Sequence, residues 1–379
     1  PNMKRIILFS FLFAAIFATA MGNMVSETAK KENQTKIQVA ILLDTSGSMQ
    51  GLIEQAKSRL WNIVNTLTTL KYNGKTPKIE ISLYEYGSYY RYKGDYIRQI
   101  TPLTTDLDRI SQELFALTTG GSEEYCGTVI HKAADELEWG NNEADMKLIY
   151  IAGNEIFDQG EIRYKDAIAD AVKKGISVNT IHCGDRATGI HDYWQDAAVR
   201  GNGKFFNIDS DERIRYIETP FDAQIILCND RLNRTYVGYG HAGTARKANQ
   251  VMQDQNAMSI SSANYAERAV SKTKDVYDNT SWDLVDRLKQ DKDALAKISR
   301  DDLPADLQQL SHDRLQAYAD SLAKERAAIQ REIARLDAKR KQYMEEQAKE
   351  GTGEKKEDLG KAITSSILEF AKAKGYTVE

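Results

Sequence analysis

Residues 37–49 read IQVAILLDTSGSM, and the rest of the chain is organised around what this stretch becomes. Val39 to Leu43 is an apolar run without alternation, the pattern of a strand buried on both faces of a parallel sheet. Asp44, Ser46 and Ser48 fall where that strand ends, and Gly47 eases the bend into an amphipathic helix beginning near Gly51. The helix carries Ile53, Ala56, Leu60, Val64 and Leu67 at three- and four-residue spacing, which gives it one apolar face. Three oxygen side chains are thereby expected at the carboxyl end of a sheet, where open α/β folds bind ligands. One carboxylate and two hydroxyls suit a hard divalent cation such as Mg2+, with Mn2+ or Ca2+ as related candidates.

Working outward, Ile79, Ile81 and Leu83 alternate with polar residues and predict a second strand, followed by a Tyr-rich hairpin from Tyr84 to Tyr96. Tyr84, Tyr86, Tyr89, Tyr90, Tyr92 and Tyr96 either cover a sheet edge or form an amphipathic recognition surface. Strands are also predicted at 147–152, 177–183 and 204–208, with helices at 107–117, 128–139, 163–174 and 193–200 between them. Five strands interleaved with helices imply an α/β fold with a doubly wound, mostly parallel sheet flanked by helices.

Asp44-Thr45-Ser46-Gly47-Ser48-Met49, placed after an apolar strand, resembles the metal-ion-dependent adhesion site of von Willebrand factor type A domains. Competing readings of this loop fit less well: a haloacid-type phosphatase needs a second aspartate where Ser46 stands, and a nucleophile elbow or phosphate loop needs glycines absent here. A plainer reading leaves the serines only the duty of capping the helix. The resemblance covers about residues 36–226 and implies that Ser46 and Ser48 ligate the metal while Asp44 acts largely through water. It also implies a short antiparallel edge strand and a third ligand from a Gly-Gly-Thr-like loop. The corresponding stretch here is Thr118-Thr119-Gly120-Gly121-Ser122-Glu123-Glu124-Tyr125-Cys126-Gly127-Thr128, so Ser122 is the first choice, with Thr128, Glu123 and Glu124 as rivals. Where the family usually has Thr-Asp-Gly after the next strand, this chain has Gly153-Asn154-Glu155. Asn154 offers a carbonyl oxygen but no charge, so the site has either lost one negative charge or recruited Glu155 or Asp158. The expected metal set is Asp44, Ser46, Ser48, Ser122, Thr128 and Asn154.

The function implied is an exported protein-binding module whose Mg2+ leaves one coordination position for a carboxylate of a partner protein. The alternative is a scaffold with a degenerate metal site, its contacts made by a helical extension. Catalysis is not expected. A Cys-His pair would have to use Cys183 with adjacent His182, whose side chains point to opposite faces of a strand, or His131 a full turn inside a helix. Cys126 and Cys183 both fall near the carboxyl end of the sheet, where a disulfide or two buried thiols would each fit an exported chain.

The remaining organisation follows from composition. Lys4 and Arg5 precede an apolar run that ends Ala18-Thr19-Ala20, so residues 1–20 read as a signal peptide and 21–36 as a flexible leader, with a periplasmic or secreted destination. No later segment is long and apolar enough to suggest a membrane span. A net charge of -4 over 379 residues, with no basic block, points away from nucleic acid as a partner. The type A domain is expected over 37–235 and a helical, hairpin or coiled-coil-like domain over 245–349, with a helix from Trp282 to Ile298 inside it. Residues 350–379 complete the chain as a linker and a C-terminal amphipathic helix. Leu315, Leu322, Ile329, Leu336 and Tyr343 recur every seven residues, but the companion row Ala319, Arg326, Ile333 and Arg340 is half charged, which makes a thin seam for a dimeric coiled coil.

Overall fold

Strand β1 (Lys36–Asp44) runs through the middle of a six-stranded sheet because its side chains feed two cores at once. Ile37, Val39, Ile41 and Leu43 point into one apolar cluster, and Ala40 and Leu42 into another on the opposite face. This is a computed structural model, and it describes residues 34–88, 96–350 and 358–379. The signal segment 1–20, most of the leader, Tyr89, Tyr90, Tyr92 and the Gly-Lys-Glu stretch at 351–357 lie outside the described residues.

The sheet order is β4 (Ile97–Thr104), β3 (Lys78–Tyr86), β1, β5 (Met146–Gly153), β6 (Ser177–Cys183) and β7 (Phe205–Ile208). All neighbours are parallel except β3 and β4, the antiparallel edge pair. The chain leaves β1 toward β3 on one side and later returns to β5 on the other, so the ends of β1, β3 and β5 meet at a topological switch point. Helix α1 (Gln50–Leu67) and α2 (Leu107–Phe115) lie on one face; α3 (Cys126–Glu136), α4 (Tyr164–Lys173) and α6 (Trp194–Arg200) lie on the other, with the short α5 (Arg186–His191) leading into α6. Tyr84 and Tyr86 are fully buried core residues rather than surface: the Tyr84 hydroxyl donates to Glu136 and that of Tyr86 to the Ala152 carbonyl.

After β7 come α7 (Asp222–Arg234), α8 (Gly243–Ile260) and α9 (Ser262–Ser271), and then a stretch in which the expected helix from Trp282 to Ile298 is broken. Only α10 (Leu284–Gln290) and a single 3-10 turn at Ala294–Ala296 form there. Asp283 caps the start of α10 by accepting from the Asp286 amide at 2.9 Å, and Asp291 ends it in an extended conformation, accepting from the Asp293 amide and from Lys297 Nζ.

Helix α11 (His312–Glu350) follows, and the charged row along it is explained by its neighbours. Arg326 and Arg340 are 5% and 3% exposed. Arg326 donates to Asp283 at 2.7 Å and to Asp286 at 2.6 Å while stacking on Tyr236; Arg340 donates to Asp222 at 2.8 Å. Leu315 and Ala319 share a core with Leu284, Val285, Leu288 and Leu295, while Ile329, Ile333 and Leu336 join the core beneath the sheet.

Helix α12 (Leu359–Ala373) returns to the sheet. Its 0, 4 and 8 positions, Leu359, Ile363 and Ile367, are buried in the core shared with α1 and β1. Ser366 links Tyr150 on β5 to Asn179 on β6, and Asp358 pairs with Arg59 of α1 through two hydrogen bonds. A final strand β8 (Thr377–Val378) pairs antiparallel with β2 (Leu70–Lys71), just after α1. Among the described residues no helix is long and apolar enough to cross a membrane.

Candidate metal centre

Backbone hydrogen bonds tie the first loop, at the switch point, to the end of β3 and to the 118–128 loop. The Thr45 amide donates to the Tyr86 carbonyl at 2.9 Å, which fixes the end of β1 to the end of β3. The Gly120 amide donates to the Thr45 carbonyl at 2.8 Å and the Gly47 amide to the Gly121 carbonyl at 3.2 Å, which tie the 118–128 loop to the first loop. Gly87 has φ +84, and a Cβ there would sit 2.9 Å from Asp44 Oδ1; a Cβ on Gly153 would lie 2.4 Å from the Tyr86 hydroxyl. Both positions have to be glycine for the loops to close this tightly around Asp44.

Within that frame the first loop turns on Asp44, whose Oδ1 accepts from the Ser46 amide at 2.7 Å. Asp44 and Ser46 are buried, Ser48 is exposed, and the two serine hydroxyls lie 3.4 Å apart. The third loop reaches the same point, since Asn154 Nδ2 donates to the Ser48 hydroxyl at 3.2 Å. Asp44, Ser46, Ser48 and Asn154 are therefore brought together. Ser122 is exposed on the second loop and Thr128 is half-buried inside α3. Of the rival carboxylates, Glu123 accepts from the Tyr125 hydroxyl at 3.2 Å, whereas Glu124 is 3% exposed and its carboxyl adjoins Asp44 and Ser46.

The electrostatics are those of a site suited to a cation. Burial, and then the neighbouring Asp44 charge, push the Glu124 carboxyl well above the usual carboxylate range; burial likewise raises Asp44. The other charge acting on both is Glu155, also negative and itself exposed. With both carboxyls ionised, Asp44 Oδ2 is buried and meets no donor, and the same holds for Asn154 Oδ1. Buried oxygens without donors are unfavourable until a proton or a cation supplies the missing positive charge. Among the described residues no group of three or more His, Cys, Asp and Glu side chains forms a metal cluster; the donors here are two carboxylates, two hydroxyls and one amide oxygen, which suit a hard, oxygen-seeking ion.

The remaining candidates resolve as packing. Cys126, Cys183 and Cys228 are free and buried. His182 and Cys183 point to opposite faces: the imidazole contacts Asn207 and Trp194, and the thiol lies in the other core.

An open, mostly parallel sheet with oxygen donors gathered at its switch point defines a class of ligand-binding α/β domain. Residues 38–218 match the family model of the von Willebrand factor type A domain, and that part of the chain is such a domain, from a family that often binds partners through a metal-ion-dependent site. No curated protein matches the chain. Among solved structures it is similar to BatB from Bacteroides thetaiotaomicron, at 18% identity over 46% of this chain and 90% of that one, with a TM-score of 0.35. It is also similar to the SpRpn10 VWA domain, at 18% identity over 46% of this chain and 89% of that one, with a TM-score of 0.36. A third similar structure, proximal thread matrix protein 1 from the mussel byssus with a zinc-occupied MIDAS motif, is 13% identical over 47% of this chain and 43% of that one, with a TM-score of 0.36.

Proposed function

We propose that this protein is an exported binding module that engages a partner protein through a divalent cation, Mg2+ in the first instance, held at the switch point. Asp44, Ser46, Ser48 and the Asn154 carbonyl oxygen would hold the ion, with a further donor from the second loop. When bound, the ion supplies an electrophilic position that a carboxylate of the partner can occupy. The observation that carries this reading is Asp44 itself: fully buried at the end of the central strand, with Oδ2 lacking any donor. Aspartate in that state is stabilised by a cation, and the groups acting on it are the Ser46 amide and hydroxyl and the acids Glu124 and Glu155.

The chain's own residues would do the rest. Backbone ties from Thr45, Gly47 and Gly120 keep the loops at fixed spacing, so little ordering is needed when the ion arrives. Exposed Ser48 and Glu155 sit at the mouth of the site and would meet the partner first.

The test uses a peptide library with Asp or Glu at its centre, screened in Mg2+ and again in EDTA. Binders are expected in Mg2+ that disappear both in EDTA and with Ser46→Ala plus Ser48→Ala. The double variant should leave the metal-free melting point nearly unchanged, since it removes two small hydroxyls and no apolar contact. Binders indifferent to EDTA would move the contact surface to the helical half and favour the scaffold reading.

A further inference from the structure

The second loop brings a carboxylate to the metal centre, and the third brings an uncharged amide. Glu124 and Asp44 belong to different loops yet converge on one point: a Cβ on Gly87 would lie 2.9 Å from Asp44 Oδ1, 3.2 Å from Glu124 Cγ and 3.4 Å from Ser46 Cβ. We infer that Glu124 is the second anionic ligand of the metal centre, carrying from the second loop the negative charge that Asn154 does not bring from the third. This rests on the metal-binding reading proposed above and goes beyond it in naming the ligand and the charge balance.

Four observations support the assignment. Of the second-loop donors Glu124 is buried against Asp44 and Ser46, whereas Glu123 is taken by the Tyr125 hydroxyl, Ser122 is exposed and Thr128 is half-buried within α3. Glu124 is held where it is, since its carbonyl accepts from the Cys126 amide at 3.0 Å as α3 begins, so its burial is set by the backbone. Two carboxyls buried side by side, with Glu155 as a further negative charge acting on both, are costly unless a proton or a cation joins them. Asp44 Oδ2 and Asn154 Oδ1 are both buried and without donors, and would give such an ion further oxygen ligands. Asp44 and Glu124 together supply two negative charges, enough to balance a divalent ion without any acid from the third loop. A charge count of this kind sets both affinity and choice of ion at oxygen-ligand sites.

Mn2+ titration by calorimetry, with melting curves in EDTA, tests the assignment on the full chain. Glu124→Gln keeps the side-chain volume and can donate a hydrogen bond to Asp44, so its metal-free melting point should equal or exceed that of the natural chain. Its Mn2+ affinity should fall by about tenfold or more. Adding Asn154→Asp to Glu124→Gln should recover most of that loss, and the same Asn154→Asp change alone should gain less than it does on top of Glu124→Gln, because both positions serve one ion. Mn2+ binding by Glu124→Gln within about threefold of the natural chain would overturn the assignment while leaving the metal reading in place, since the affinity loss expected of a removed ligand is larger. A loss that Asn154→Asp does not repair, or equal gains in both backgrounds, would also overturn it. Absence of Mn2+ binding by the natural chain would overturn this assignment and the metal reading together.

Discussion

A chain cut after residue 357 is expected to lose its cooperative unfolding transition and its near-ultraviolet circular dichroism. The cut removes α12, whose Leu359, Ile363 and Ile367 are at most 1% exposed and belong to one core with Ile41, Leu43, Ala56 and Leu60. Three large apolar side chains withdrawn from a core are worth roughly 5 to 9 kcal/mol at about 1.5 to 3 kcal/mol each. That loss is comparable with the roughly 5 to 15 kcal/mol by which folded domains are stable at all. Tyr150 and Asn179, on the two adjacent strands β5 and β6, would also lose the Ser366 hydroxyl that joins them. A truncated chain that melts at the temperature of the full chain would show that α12 is an accessory to the sheet.

Replacing Arg268 by Met should lower stability by about 3 to 5 kcal/mol, because it strands buried carboxylates. Arg268 is 0% exposed, donates to Asp254 at 2.6 Å and to Asp108 at 2.8 Å, and stacks over Trp61 of α1. Asp254 keeps Lys272 at 3.1 Å, but Asp108 is left with the Tyr277 hydroxyl alone among these partners. Asp108 and Trp61 belong to sheet-side helices and Arg268 to α9, so this network fastens the helical region to the sheet-side layer. Urea unfolding followed by tryptophan fluorescence reads the effect; a midpoint within error of the natural chain would mean the network contributes no net stability.

The sheet was legible in the sequence because each strand declared itself locally. The unbroken apolar run at 39–43 required burial on both faces, and Asp44, Ser46 and Ser48 marked its carboxyl end. The helical half was less legible, since its identity depends on partners distant in the chain. Arg326 and Arg340 weaken a heptad seam when read alone, and become intelligible only beside Asp283, Asp286 and Asp222, between 40 and 118 positions away. Trp282 to Ile298 carries helical spacing, yet Asp283 and Asp291 bind local amides and cut it short. In the second loop, Glu123 and Glu124 are equivalent in the sequence; which one turns inward is decided by the ties of Gly120 and Gly121 to the first loop and by Tyr125, which takes Glu123.

The oxygen donors around Asp44 are proposed to hold a divalent cation. The most direct test is calorimetric titration of Mg2+ and Mn2+ into the natural chain and into Ser46→Ala plus Ser48→Ala. The expected result is saturable binding to one site at about millimolar concentration or below, abolished in the double variant. Absence of binding by the natural chain across that range, or binding that the double variant retains, would contradict the claim.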